Sequence, residues 1–235
     1  ILGLTQVSGE VEILGMDPCQ AHHKLMQQVS FIADVAVIPR WLKVEQALEF
    51  SQGIHPNFDR DKALHILEKT SIPLNKKVGG LSKGMVTQLH LALILAIDAK
   101  VLVLDEPTIG LDILTRRQFY SHLLEEFYAE DKCIIVTTHQ IEEVEHILTD
   151  VAFIQNGQLV LNHDIDALRQ RFRAVAVHKD QLEQAKLLNP VSQQSMMGIS
   201  TMLFDGIEEP KLMQFGTVTT PSLADIFVGV MEQEA

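Results

Sequence analysis

Two adjacent carboxylates, Asp105 and Glu106, follow the apolar run Val101, Leu102, Val103, Leu104 and precede Pro107 and Thr108. A continuous apolar run of this kind is what a central parallel strand covered on both faces requires. The two acids are therefore delivered to the end of a buried strand, where ionised groups need a cation or a water-filled site. One carboxylate suits a magnesium ion held through water, and the second suits the polarising of an attacking water, the division of labour used in nucleotide hydrolysis. An Asp-Glu pair after a strand also serves simply to start the next helix. The surrounding residues favour the chemical reading.

Five residues beyond Asp105, Gly110-Leu111-Asp112 leads into a helix expected over residues 113–128, and Thr137-Thr138-His139 ends a second apolar strand expected over 133–137. Strand, crossover helix and strand in this order make a right-handed parallel unit, and polar groups at the strands' C-terminal ends then share one crevice. A histidine at a strand end is commonly an ordinary loop residue; beside Asp105 and Glu106 it becomes a candidate for the site. A third motif, Leu81-Ser82-Lys83-Gly84-Met85, follows Gly79-Gly80 and opens an apolar helix expected to reach about Asp98. Ser82 is a natural N-cap, and unpaired amides at a helix start, with a hydroxyl and a lysine beside them, suit a phosphate. Such a start also occurs with no ligand at all.

The elements that must position these groups are legible in outline. Residues 11–14 and 29–32 read as short strands, and residues 44–52 and 61–69 carry helical spacing of apolar side chains. After Asp150 the texture changes to a β-hairpin over 151–161 with Asn156-Gly157 at its turn. A final helix is expected over 221–231, and a loop or subdomain join over 187–200. The fold class is α/β with a parallel sheet, followed by a small α+β appendage.

Composition bounds the function. The 235 residues suit one main domain with an appendage. With 31 acidic and 19 basic residues the net charge is −12, which argues against a chain that coats nucleic acid. The two cysteines, Cys19 and Cys133, lack the spacing of a disulfide framework or a zinc site. The longest apolar run, residues 91–97, is well short of the roughly 18 residues a membrane span needs. Any membrane role must then run through a partner.

Taken together, LSKGM, the apolar helix, VLVLDEPTIGLD and VTTH resemble, in order and spacing, the motifs of ABC transporter ATP-binding subunits. In that family LSKGM is similar to the signature motif usually written LSGGQ, VLVLDE to the Walker B strand, GLD to the D-loop, and His139 to the switch histidine. The resemblance implies a P-loop NTPase-like core with a helical subdomain, over residues 1–162 with the subdomain at about 40–98, and an appendage over 163–235. It implies ATP and Mg²⁺ as cofactors, Asp105 as a metal-holding residue, Glu106 as catalytic base, and His139 as the contact to the γ-phosphate. Ser82, Lys83 and Gly84 would bind ATP held by a second subunit, and Asp112 would lie at the nucleotide in the D-loop.

Several residues depart from the family pattern. Lys83 stands where glycine is usual, Met85 where glutamine is usual, and Gln88 where arginine commonly begins the helix. Residues 29–34 resemble the Q-loop segment with Asp34 in place of glutamine, and this carboxylate is a further candidate for nucleotide and Mg²⁺ binding, at shorter reach. LSKGM with an acidic Q-loop residue resembles bacterial ABC-2 type exporter subunits. No G-x-x-x-x-G-K-[ST] phosphate loop occurs in the chain. Residues 1–11 resemble the family segment just after that loop, so the Walker A segment is expected upstream of Ile1, and the chain without it is expected to be inactive.

The implied protein is an ATPase that dimerises on ATP, as a homodimer or with a second ATPase subunit, and drives a separate integral membrane permease, an exporter by subclass. Its expected place is cytoplasmic, peripheral on the inner face of the membrane, with no nucleic acid bound. Residues 34–46, with Trp41, are the expected coupling region, although Trp41 could equally be buried. The alternatives are a soluble ABC ATPase without transport and a degenerate regulatory subunit.

Overall fold

The computed structural model of the protein describes residues 2, 3, 5, 7–33, 38–196 and 198–233. The chain divides into two compact units, residues 1–139 and residues 140–235.

In the first unit the order is α1 (His22–Leu25), β1 (Val29–Ile32), α2 (Val44–Ile54), α3 (Arg60–Glu68), α4 (Lys83–Leu95), β2 (Val101–Asp105), α5 (Ile113–Phe127) and β3 (Cys133–Thr137). The strands form a parallel sheet in the order β1-β2-β3. β2 is central, and Val101, Leu102, Val103 and Leu104 are all buried while Asp105 is exposed. The apolar run ends where the strand leaves its neighbours' cover, so the first acid of the motif emerges at the C-terminal edge. Val101 and Val103 join Leu25 and Val29 in one core cluster, against which Ile135 packs.

β3 differs from the sequence expectation of a strand covered on both faces. Its residues are only half-buried or exposed, because it lies at the edge of this three-stranded sheet rather than inside it. The strand expected over residues 11–14 is also absent. Ile13 and Met16 close an isolated bridge across Leu14 and Gly15, both left-handed, with φ of 52° and 72°. The short apolar run is therefore a turn rather than a strand.

α2, α3 and α4 pack on one another. Asp59 caps α3 by accepting from the Lys62 amide, and Ser82 caps α4 by accepting from the Met85 amide at 3.2 Å. α4 buries Leu89, Leu91, Ala92, Leu93 and Leu95, as its apolar breadth requires. It ends at Leu95, three residues before the expected Asp98, where Asp59 N donates to Ala96 O and Asp98 N to Asn57 O. Those bonds to the start of α3 draw the chain out of the helix.

The second unit contains α6 (Ile141–Val144), β4 (Asp150–Gln155), β5 (Gln158–Asp164), α7 (Ile165–Arg171), β6 (Phe172–Val177), α8 (Leu182–Lys186), β7 (Ser192–Met196), β8 (Ile199–Asp205), α9 (Glu209–Leu212), β9 (Gly216–Thr219) and α10 (Leu223–Gln233). β4 and β5 make the expected hairpin, its turn carrying Asn156 at φ 50° and Gly157 at φ 79°. Two successive left-handed residues are what a two-residue turn needs to match the twist of its strands.

From β6 to β9 the order strand, helix, strand, strand, helix, strand gives an antiparallel sheet arranged β7-β8-β6-β9, the ferredoxin-like topology. Alternate residues of its two central strands enter two cores. Val175, Val177, Met202 and Phe204 pack with Ala185, Leu212 and Phe215; Phe172 and Leu203 pack with Leu223 and Ile226. Gly229 lets α10 lie close to the sheet, since a Cβ there would come within 2.7 Å of Leu203 Cδ2. The segment expected as a loop over 187–200 contains β7 and the start of β8. β7 is the polar, largely exposed outer strand SQQSM, so it carries no apolar alternation to announce it.

Candidate functional site

The strand-end residues converge. The Glu106 amide donates to Thr137 O at 2.9 Å, bringing the backbone just past β2 against the end of β3. Glu106 sits at φ 46°, a left-handed conformation costing a bulky residue about 1 kcal/mol or more that persists only where neighbours over-determine it. Its carboxylate supplies that determination. Oε1 accepts from the His139 amide at 2.9 Å and lies 2.6 Å from His139 Nδ1; Oε2 accepts from Thr138 Oγ1 at 3.3 Å. An ionised carboxylate only accepts, so His139 carries a proton on Nδ1 and directs Nε2 away from Glu106.

Asp105 stands in register with Thr137, whose hydroxyl donates to Asp105 Oδ1. The two acids thus have different surroundings. Asp105 is exposed beside one hydroxyl, while the Glu106 side chain is 23% exposed and held through both oxygens. This donor set suits a hard cation that retains water and takes one or two carboxylates together with phosphate oxygens, as Mg²⁺ does. Among the described residues no group of three or more His, Cys, Asp or Glu side chains forms a metal cage of protein ligands alone.

A second cluster lies where α4 and α5 begin. Ser82 Oγ is committed to the Met85 amide. Lys83 extends over the left-handed Gly110, where an added Cβ would meet its Nζ at 2.5 Å, and a Cβ on Gly84 would stand 3.2 Å from Thr115 Cγ2. Asp112 caps α5, accepting from the Thr115 amide at 3.0 Å and from Thr115 Oγ1 at 2.7 Å. The Thr115 hydroxyl and then its amide hold the Asp112 carboxyl below the usual carboxylate range.

The structure therefore brings Asp105, Glu106 and His139 together at the strand ends, and Ser82, Lys83, Gly84 and Asp112 together at the two helix starts. Asp34 lies outside the described residues. Sequence reasoning passed over the side-chain roles of Thr115, Thr137 and Thr138. The signal for the last two was parallel register, which sets consecutive residues of one strand end beside those of the next.

Phe31, Leu42, Phe50, Ile54, His90 and Leu93 help line an apolar cleft of about 330 Å³ in the same unit. Trp41, near it in sequence, is 70% exposed, and so is not the buried residue the sequence also allowed. Among the described residues no helix is long and apolar enough to cross a membrane.

A parallel sheet with helices and with polar groups at its strands' C-terminal ends is the α/β architecture of P-loop ATPase domains. A solved structure of an ATP-binding subunit of an ABC transporter has the same fold, with a TM-score of 0.65 over 72% of each chain at 20% identity. Residues 1–109 match the ABC transporter family model. The ABC transporter ATP-binding protein YtrB of Bacillus subtilis is 27% identical over 165 residues, covering 70% of this chain and 56% of YtrB. NatA of the same organism, also an ABC transporter ATP-binding protein, is 32% identical over 43% of this chain and 41% of its own. The lantibiotic transport ATP-binding protein SrtF of Streptococcus pyogenes is 34% identical over 44% of this chain and 49% of its own. Over these stretches the chain is similar to ABC transporter ATP-binding proteins. It spans about half the length of these curated relatives.

Proposed function

We propose that this chain is the ATP-hydrolysing subunit of an ABC exporter, closing on ATP with a second ATPase subunit and driving a separate integral membrane permease. The observation that carries the reading is the joining of Glu106 to His139 through Oε1 and Nδ1 at the ends of two parallel strands. Glu106 takes a proton from the attacking water, and His139 directs Nε2 to the γ-phosphate. Asp105, kept in place by Thr137, would hold Mg²⁺ through water, with Asp34 as a further ligand; the ion would neutralise charge on the phosphates.

Ser82, Lys83 and Gly84 face nucleotide held by the second subunit, with Asp112 beside them. The contact of Lys83 with Gly110, and of Gly84 with Thr115, ties this edge to the turn that Asp112 caps. The apolar cleft and the exposed Trp41 are suited to an apolar segment of the permease. Such a subunit works at the inner face of the membrane.

The test is ATP turnover by the full-length protein, phosphate loop included, reconstituted with its permease and compared with Glu106→Gln. Turnover that the permease stimulates and the substitution abolishes is the expected result. Turnover by Glu106→Gln equal to wild type, or salt-sensitive binding of nucleic acid in place of permease assembly, overturns it.

A further inference from the structure

β2 and β3 run parallel in the register that sets Asp105 beside Thr137. One step further along the same strand ends stand Glu106 and Thr138, and each threonine hydroxyl donates to the carboxylate beside it. The two acids of the motif thus meet two hydroxyls in matching order, followed by His139. Glu106 is held on both sides: His139 binds Oε1 through its amide and ring, and the half-buried Thr138 binds Oε2.

The torsion that turns a glutamate carboxylate is broad and poorly defined by its own covalent structure. A carboxylate held at one oxygen can swing about it; one held at both has its plane fixed. The His139 ring is 65% exposed, so its bond to Glu106 is open to competition from solvent and from a phosphate. The His139 amide still holds Oε1 when the ring leaves, and the Thr138 hydroxyl, which does not depend on that ring, holds Oε2.

We propose that Thr138 is a positioning residue for ATP hydrolysis, its hydroxyl fixing Glu106 Oε2 so that the base keeps its orientation when the His139 ring is drawn to the phosphate. This rests on the reading of Glu106 as the general base. Thr138 touches neither water nor nucleotide in this role and acts through Glu106 alone.

The test measures steady-state ATP turnover of the full-length protein, phosphate loop included, for Thr138→Val, Thr138→Ser and Glu106→Gln, together with affinity for a fluorescent ATP analogue and thermal unfolding. Loss of a hydrogen bond to a charged group predicts that Thr138→Val lowers kcat about 10-fold, with KM and analogue affinity changed less than about twofold. Thr138→Ser, which keeps the hydroxyl, restores most of the turnover. In the Glu106→Gln background Thr138→Val changes the residual rate less than about twofold, as expected of residues acting as one unit. Wild-type turnover by Thr138→Val while Glu106→Gln is inactive overturns the proposal and leaves the base in place. A loss that Thr138→Ser shares, or one that tracks a fall in melting temperature, also overturns it, since packing or folding would then be responsible. Near wild-type turnover by Glu106→Gln overturns the base itself.

Discussion

Glu106 and His139, 33 residues apart in the chain, meet with Oε1 2.6 Å from Nδ1. Their exposures differ: the Glu106 side chain is 23% exposed and that of His139 is 65% exposed. The carboxylate proposed as the base is shielded and the ring proposed to touch a phosphate is accessible, an ordering that follows from the turn at Glu106. Its left-handed backbone folds the carboxylate back over the end of β3 instead of continuing along β2.

Replacing Glu106 by glutamine is expected to abolish ATP turnover while retaining ATP-bound dimers. The amide matches the carboxylate in shape and can still accept from the His139 amide, but it cannot take a proton from water. Turnover assays and size-exclusion chromatography in the presence of ATP check the two halves separately. Dimers that form without ATP, or fail to form with it, would contradict the proposed closure.

The central strand should be the least tolerant element of the first unit. Leu102 is fully buried in β2, and truncating such a leucine to alanine removes its transfer energy and leaves a cavity, at a cost of about 2–5 kcal/mol. Urea unfolding of Leu102→Ala should show a lowered midpoint with an unchanged slope. The same truncation at half-buried Ile135 in β3 should cost less, because an outer position leaves a smaller void.

What the sequence revealed follows the strength of each segment's physical signature. Val101 to Leu104 announced β2 because four consecutive buried apolar residues have few other homes, and Asn156-Gly157 announced a hairpin because few other pairs adopt two left-handed conformations. Ser82 and Asp112 were legible as residues opening helices. β7 was not, since an outer strand of Ser, Gln and Met needs no apolar face. The half-exposed state of β3 was hidden for the converse reason: Ile134, Ile135 and Val136 have the composition of a central strand whatever their neighbours. The roles of Thr137 and Thr138 depend on the register between strands, which no local pattern within either strand contains.

The turn at Gly157 offers a clean measure of backbone strain. A Cβ there meets nothing within 4 Å, yet φ is 79°, so Gly157→Ala changes conformational preference without a clash. Holding alanine left-handed costs about 1–2 kcal/mol, and thermal unfolding of the second unit should shift downward accordingly. The same substitution at Gly53, which lies in α2 with open space around its Cβ, should instead be neutral or stabilising.

Trp41 tests the proposed coupling surface. At 70% exposure it contributes little to folding, so Trp41→Ala should alter stability by no more than about 0.5 kcal/mol. Co-purification with the permease should fall at least tenfold if the exposed ring is an anchor at that contact, since aromatic anchors contribute about 2 kcal/mol or more. Undiminished assembly would move the contact elsewhere.

His90 gives the first unit a pH dependence whose sign can be worked out. It lies on α4, half-buried at the apolar cleft with Leu93, Ile94 and Phe50, and burial pushes its imidazole below the ordinary histidine range. The unfolded chain takes up the proton near pH ~6.5, whereas the folded chain resists until the pH is lower. Between those values the unfolded state binds more protons, so stability falls as the solution is acidified and levels off above the unfolded value. Chemical unfolding at pH ~5, ~6 and ~7 should show this slope in the wild type, and His90→Gln, which cannot titrate, should flatten it while changing stability at neutral pH far less. Equal slopes in the two proteins would show that His90 becomes charged as readily in the fold as outside it, and the cleft would then be a wetter surface than its apolar lining implies.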